Sequence, residues 1–278
     1  MTTPTGEHIL VPLDGSKNAE NAIPFAGIMA RVFDSDILFL QAQDAAAEPS
    51  AGDRFDEYAM GRAAHFGLPR GRCSTRLLSG APAAAILDAA AEPGTRAIVL
   101  ASHGRGGFRA ALFGSVADRV IRGTAWPVLV VPGVGGPPVE LKQVLVTLDG
   151  SPLSEQALIP ARLIAQAVGA ELSLVEACSP TAPLTEDYLY YAPAFMAELR
   201  ATAQKYLGGL ANSGEHTLAV QGDPAAAIVR LAAELDADLV VMASHGKDLS
   251  RRFFLGSTTD RVMHELHRPL LIIPPSKD

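Results

Sequence analysis

The chain has 278 residues, 48% of them hydrophobic, and a formal charge of −7. That length and apolar content suit two compact domains of ordinary size. The acidic balance disfavours broad nucleic-acid binding, which needs basic surface, and no apolar run approaches the roughly 20 residues that span a bilayer.

In chain order, Met1–Glu7 has neither a basic region nor an apolar core and reads as no signal peptide. Ile9–Leu13 is predicted as a short buried strand. Ser16 is the predicted cap of a helix running to about Arg31. A second strand over Ile37–Leu40, a helix over Phe55–Phe66 and a third strand over Thr75–Leu78 follow. Gly80-Ala81-Pro82 turns into an Ala-rich helix. Ala97–Leu100 is a fourth apolar strand, a glycine loop leads to a helix from Ser115, and Val128–Val131 is a fifth strand. Gly133–Pro138 reads as a linker.

The series then repeats. Ser151 caps, with Pro152 at the first helical position. Leu172–Val175, Thr217–Val220, Leu239–Met242 and Leu270–Ile273 are predicted strands, and Phe195–Leu210 and the segment from Ser257 are predicted helices. Asp14 and Asp149 are 135 residues apart, whereas Gly80 and Gly222, Gly104 and Gly246, and Pro127 and Pro269 are each 142 apart. The seven extra residues are placed in Ser179–Pro193. A period this long marks a duplicated domain rather than a solenoid. The predicted domains are 1–136 and 137–278.

Strands alternate with helices, and the strands are continuous apolar runs, as expected of parallel strands buried on both faces. The predicted fold class is α/β, with two repeated open doubly wound domains, each a five-stranded parallel sheet flanked by helices. Ligands in such folds sit at the carboxyl ends of the strands. The Asp-Gly-Ser turns at Asp14 and Asp149 and the glycine loops after the fourth strands lie at that edge. A glycine loop leading into a helix offers backbone N–H groups and a positive dipole end to an anion.

The most specific phrase is Ala101-Ser102-His103-Gly104, nine residues, Gly114-Ser115, which returns as Ala243-Ser244-His245-Gly246, nine residues, Gly256-Ser257. With the Asp-Gly-Ser turn, the Gly-x-Pro turn and the Pro-Val/Leu-Leu closing strand, it resembles the universal stress protein family in its tandem two-domain form. The resemblance covers essentially the whole chain. The nucleotide-binding pattern of that family is Gly-x2-Gly-x9-Gly-Ser/Thr, and alanine replaces its first glycine at both Ala101 and Ala243.

The resemblance implies a Rossmann-like, adenine-nucleotide alpha hydrolase-like fold and binding of ATP, ADP or AMP, with or without magnesium. It implies that Asp14 and Asp149 lie near ribose and base, and that Pro12, Ala42, Thr147 and Ala177 line the base pocket. Gly104, Gly114, Ser115 and Val116, with Gly246, Gly256, Ser257 and Thr258, would take the phosphates. Ala101, His103, Ala243 and His245 complete the two sets, and Arg105 and Lys247 would cover the phosphate tail. It also implies intramolecular pairing of the domains through their fifth strands, and leaves open a homodimer of whole chains.

The residue types suit that role. Gly104 and Gly114 let main chain approach oxygens without an intervening Cβ, and Ser115 adds a hydroxyl where a helix begins. Asp14 can accept from sugar hydroxyls or hold a divalent cation shared with phosphates. No Gly-x4-Gly-Lys-Ser/Thr is present, so a P-loop is unsupported. An alanine at position 101 or 243 strains the backbone only where φ is positive, and pushes a nucleotide outward where the position must lie close to the ligand; as the last strand residue, the preferred reading, it is harmless. The sites are unequal: Asp248 and Glu176 add negative charge in the second repeat, Glu176 replacing Gln41. The first site is expected to bind ATP more tightly.

Simpler readings stand beside these. Ser102–His103 and Ser244–His245 are poor relays, because adjacent residues on a strand point to opposite faces. Their histidines shape the loops instead. His264 and His267 have no recognisable third metal ligand, and an exposed helix face is the preferred reading. Asp14 and Asp149 can also stabilise their turns. Tyr188, Tyr190, Tyr191 and Phe195 form either a lid or partner surface, or a loop folded onto the core. Cys73 and Cys178 fit no disulfide framework or zinc spacing and read as small buried hydrophobes, favouring a reducing cytoplasm.

The expected function is a cytoplasmic ATP-binding regulatory module of the stress response, with no catalytic residue assigned. The rivals are a slow ATPase and a nucleotide-free interaction scaffold.

Overall fold

The computed structural model describes residues 6–43, 50–102, 114–133, 140–179, 192–244 and 255–275. Packing divides the chain into two compact units, Met1–Val139 together with Pro269–Asp278, and Glu140–Arg268. Each is a mixed α/β unit with its sheet flanked by helices.

In the first unit, β1 (His8–Pro12), β2 (Asp36–Gln43), β3 (Cys73–Ser79), β4 (Thr95–Ala101) and β5 (Val128–Val131) run parallel in the order β3-β2-β1-β4-β5. The C-terminal strand β10 (Leu270–Ile273) lies antiparallel on the far side of β5, with Leu271 opposite Leu129, its own equivalent in the repeat. In the second unit, β6 (Gln143–Leu148), β7 (Glu171–Cys178), β8 (His216–Gln221) and β9 (Leu239–Ala243) are parallel in the order β9-β6-β7-β8. In both units the first strand of the repeat lies between the second and the fourth. The chain leaves those neighbours in opposite directions, which opens a crevice at their carboxyl ends.

The strands form as their composition dictates. Leu10, Phe39, Ile98, Leu145 and Val241 are fully enclosed, and β1, β4, β6 and β9 are apolar almost without interruption. Such runs need cover on both faces, which the crossover helices provide.

The first helix of each repeat is shorter than its sequence suggests. Ser16 caps α1 (Lys17–Glu20), its Oγ accepting from Ala19 N at 3.2 Å, and Ser151 caps α6 (Pro152–Glu155) by the same bond to Ser154 N at 3.2 Å. Both then break, and α2 (Ala22–Val32) and α7 (Leu158–Val168) continue. Pro24 and Pro160 explain the break. Each lacks the N–H that would bond the carbonyl four residues back, and its ring crowds that carbonyl. The remaining helices are α3 (Ala51–His65), α4 (Pro82–Ala91) and α5 (Ser115–Gly123) in the first repeat, and α8 (Ala192–Leu210), α9 (Pro224–Glu234) and α10 (Ser257–Glu265) in the second.

Polar groups at the opposite edge of the sheets make folding pH-dependent. His8 is buried at the start of β1, its Nε2 3.3 Å from Thr95 Oγ1, and burial lowers its affinity for a proton. The Arg162 guanidinium donates to Glu215 at 2.7 and 2.8 Å and holds that carboxyl below its usual range; Arg76 does the same to Glu92. The unfolded chain protonates His8 near pH 6.5 and the glutamates near about 4.3, in each case before the folded chain does. Stability is therefore greatest above about pH 6.5 and falls as the solution is acidified, first through His8 and then through the carboxylates. Denaturant titrations between pH 8 and 4 should show this. His8→Asn should flatten the upper part of the fall and Glu215→Gln the lower; a decline left unchanged by both would contradict it.

Both cysteines are free thiols. Cys178 is buried, and Cys73 is half-buried, its thiol pushed up to about 11 by burial, with the Asp36 charge adding.

Candidate functional site

The site is assembled from two turns. The first follows the first strand of each repeat. Asp14 Oδ1 accepts from Ser16 N at 2.9 Å, and Asp149 Oδ1 accepts from Ser151 N at 3.0 Å and Ser151 Oγ at 2.6 Å. Between them Gly15 and Gly150 hold φ of +80° and +79°, a conformation that glycine adopts at little cost. The stabilising role of both aspartates is thus realised in the fold, and the same bonds fix each carboxylate at the strand edge.

The second turn is the glycine phrase. Ala101 ends β4 and Ala243 ends β9, and neither has positive φ. Alanine therefore brings no backbone strain at either position. Gly114 N donates to Ser102 O at 2.7 Å, and Gly256 N to Ser244 O at 2.8 Å, closing the phrase identically in both repeats. Gly114 and Gly256 then cap α5 and α10, with no side chain to accept from the first N–H groups of those helices. A helix end of this kind favours an anion.

In the second repeat these parts enclose a cavity of about 850 Å³. Thr147, Asp149, Ala177, Ala243, Gly256, Ser257 and Thr258 all line it. In the first repeat, Pro12 ends β1, Ala42 lies near the end of β2 opposite Leu78, and Ala101 ends β4, on three neighbouring strands. Ser115 and Val116 are exposed on the first turn of α5. His103, Gly104, Arg105, His245, Gly246 and Lys247 lie outside the described residues, as do Asp248, Tyr188, Tyr190 and Tyr191. Phe195 is on α8, 41% exposed, and lines the second cavity. His264 is exposed, its Nδ1 donating to Asp260 O at 2.7 Å.

Several residues around the cavity, and a first-repeat counterpart of one of them, escaped the sequence reading. Tyr206 on α8 donates to Glu155 Oε1 at 3.0 Å, and Tyr58 on α3 donates to Glu20 Oε1 at 3.1 Å. Burial and the Glu155 hydrogen bond, with the Glu155 and Glu176 charges adding, hold the Tyr206 phenol protonated well above its usual range. The two glutamates share the 135-residue offset, so a position-by-position comparison of the repeats contained that signal. Arg261, one turn beyond Ser257, lines the cavity and donates to Asp223 Oδ2 at 2.8 Å. Asp223 also caps α9 through Ala226 N at 3.1 Å, and Arg261 holds its carboxyl below the usual range. The first repeat has Ala81 and Arg119 at these positions, so the pair belongs to the second repeat alone. Thr259 Oγ1 donates to Ala243 O at 3.0 Å, tying α10 to the end of β9.

The sequence profile of the Universal stress protein family matches residues 6–132 and again 140–274. The chain belongs to the universal stress protein family. A universal stress protein of Thermus aquaticus is 33% identical over 138 residues, 48% of this chain and 98% of that protein. Universal stress protein Rv2005c of Mycobacterium tuberculosis is 30% identical over 180 residues, 63% of this chain and 60% of that protein. The match therefore spans less than two thirds of the mycobacterial relative. Among solved structures, a universal stress protein of Archaeoglobus fulgidus matches with a TM-score of 0.68 at 20% identity, over 98% of this chain and 100% of that one. A protein of Pseudomonas aeruginosa described as functionally unknown gives 0.70 at 20% identity, over 98% and 93%. At this identity the structural likeness establishes the universal stress protein fold.

Two such domains in tandem account for the period seen in the sequence. Among the described residues of this universal stress protein, no helix is long and apolar enough to cross a membrane.

Proposed function

We propose that this universal stress protein is a regulatory module of the stress response that binds an adenine nucleotide (ATP, ADP or AMP) at the strand edge of each repeat, with little or no catalysis. One observation carries the reading. The cavity of the second repeat is lined both by the Asp149 turn and by Gly256, Ser257 and Thr258 at the start of α10. Its volume of about 850 Å³ lies in the range of small-molecule and cofactor sites. Asp149 suits ribose hydroxyls, and the amides of α10 suit phosphate oxygens.

Magnesium fits as a companion of the phosphates rather than as a protein-held ion. Among the described residues no three His, Cys, Asp or Glu side chains converge on a point. Magnesium is ordinarily held through one or two carboxylates plus phosphates and water, a role open to Asp14 or Asp149. When bound, it would neutralise phosphate charge.

We read the β5–β10 ladder as the device that joins the repeats; its antiparallel register, centred on Leu129 and Leu271, supports this. The free thiols are in keeping with a cytoplasmic location. Mass spectrometry of ligand released by denaturing freshly purified protein tests the reading. An adenine nucleotide is the expected species. Its absence, together with no binding on adding ATP, would favour a scaffold without nucleotide.

A further inference from the structure

The second cavity carries an ion pair that the first repeat lacks. Among the described residues that line the cavity, Asp149, Glu176 and Asp223 are carboxylates and Arg261 is the one cation. Arg261 follows Ser257 by four residues on α10, so the two share one face of that helix, and both line the cavity. About 6 Å of helix rise separates them, a span that an arginine side chain can cover. The guanidinium donates through Nη1 to Asp223 Oδ2 at 2.8 Å, and its Nε lies 3.7 Å from Glu265 Oε1. Asp223 uses its other oxygen to cap α9, accepting from Ala226 N at 3.1 Å.

Magnitudes decide which anion the guanidinium prefers. Both side chains of the Arg261–Asp223 pair are 49% exposed. An exposed pair of this kind shifts an equilibrium by about fivefold at most. A phosphate offers a guanidinium two parallel charge-assisted hydrogen bonds, a stronger and more directional contact. We infer that Arg261 is a phosphate-binding residue of the second site and that Asp223 is its built-in competitor, holding the guanidinium until a nucleotide's phosphates take its place.

This rests on the nucleotide reading above and deepens it for the second repeat. In the first repeat Ala81, Ser115 and Arg119 stand where the second has Asp223, Ser257 and Arg261, each 142 residues earlier. Position 81 supplies no carboxylate to compete for Arg119, which gives a physical reason for tighter ATP binding at the first site. Arg261 trades one anion for another, so the exchange releases few counterions on balance, and the amides of α10 remain the cradle.

The test uses the full chain carrying Gly114→Glu, which closes the first site, titrated with ATP at equilibrium. Arg261→Gln should weaken binding by about tenfold or more, the loss of a charge-assisted contact. Asp223→Asn should strengthen it by about two- to fivefold, and asparagine still caps α9, so the fold is kept. The opposite signs are the readout, because a pair that only tied α9 to α10 would make both exchanges harmful. In a chain that also carries Arg261→Gln, Asp223→Asn should lose its effect, whereas plain repulsion of phosphate by Asp223 would persist there. The reciprocal variant, Ala81→Asp in a chain carrying Gly256→Glu, should weaken ATP binding at the first site severalfold. It places a capping side chain at the start of α4, which has none, so poor folding does not account for the loss. Unchanged affinity, losses in both single exchanges, or a gain that survives without Arg261 would overturn the inference and leave nucleotide binding intact. A second site that takes no ATP in any of these chains would overturn both.

Discussion

Gly114→Glu should weaken ATP binding at the first repeat by about a hundredfold or more, which corresponds to roughly 2.7 kcal/mol. Gly114 has φ −83° and ψ 149°, extended backbone that any residue adopts, so the substitution brings no torsional strain. A carboxylate at the start of a helix is itself favourable, because it meets the positive end of the dipole. The new side chain therefore occupies the place proposed for phosphate and repels the phosphate that it displaces, while the helix stays formed. Gly256→Glu applies the same logic to α10, where Gly256 is also extended at φ −59° and ψ 146°. Calorimetric titration of ATP should show a larger loss for Gly114→Glu, since the first site is expected to be the tighter one. Equal losses in the two variants would contradict the ranking. Circular dichroism should report unchanged folding in both.

The largest effect on stability is expected from Phe39→Ala. Phe39 is fully buried in β2, between Val11 of β1 and Thr75 of β3. Removing so large a side chain from an enclosed position costs its transfer free energy and leaves a void, together about 3–5 kcal/mol. Phe39→Leu retains most of the volume and should cost less than about 1.5 kcal/mol. Urea unfolding at pH 7.5 would measure both. A loss below about 1 kcal/mol for the alanine variant would mean that the sheet is less closely packed than described. Because Phe39 is three residues before Ala42, the alanine variant should also weaken nucleotide binding in the first repeat.

The legible features were those in which local chemistry and tertiary context agree. The strand cores Ile37–Leu40, Leu239–Met242 and Val128–Val131 could be read because a buried parallel strand requires an unbroken apolar run. Ser16 and Ser151 were legible as caps because a hydroxyl before a helix has one obvious partner. The breaks after Glu20 and Glu155 were also encoded, by Pro24 and Pro160, but the apolar period continues across them and masks the loss of one hydrogen bond. At the site, the turn residues Asp14 and Asp149 and the helix starts at Gly114 and Gly256 were found because the repeat presents each of them twice.

What escaped the reading was long-range or specific to one repeat. Tyr206 reaches Glu155 across 51 residues, and Arg261 reaches Asp223 across 38. Neither spacing has a local signature, and the second pair has no counterpart in the first repeat. Thr259 was passed over for a similar reason, because Ala117 stands in its place there. Comparing the repeats for their differences, as Ala81 and Asp223 illustrate, recovers information that comparing them for likeness discards.

The central claim is that backbone amides at the strand edge, rather than side-chain charge, hold a nucleotide. Equilibrium dialysis of the ligand-stripped full chain against labelled ATP with magnesium, up to millimolar concentration, tests it most directly. Saturable binding that persists at high salt is the predicted result, since an amide cradle releases few counterions. No retained ATP at millimolar concentration would contradict it.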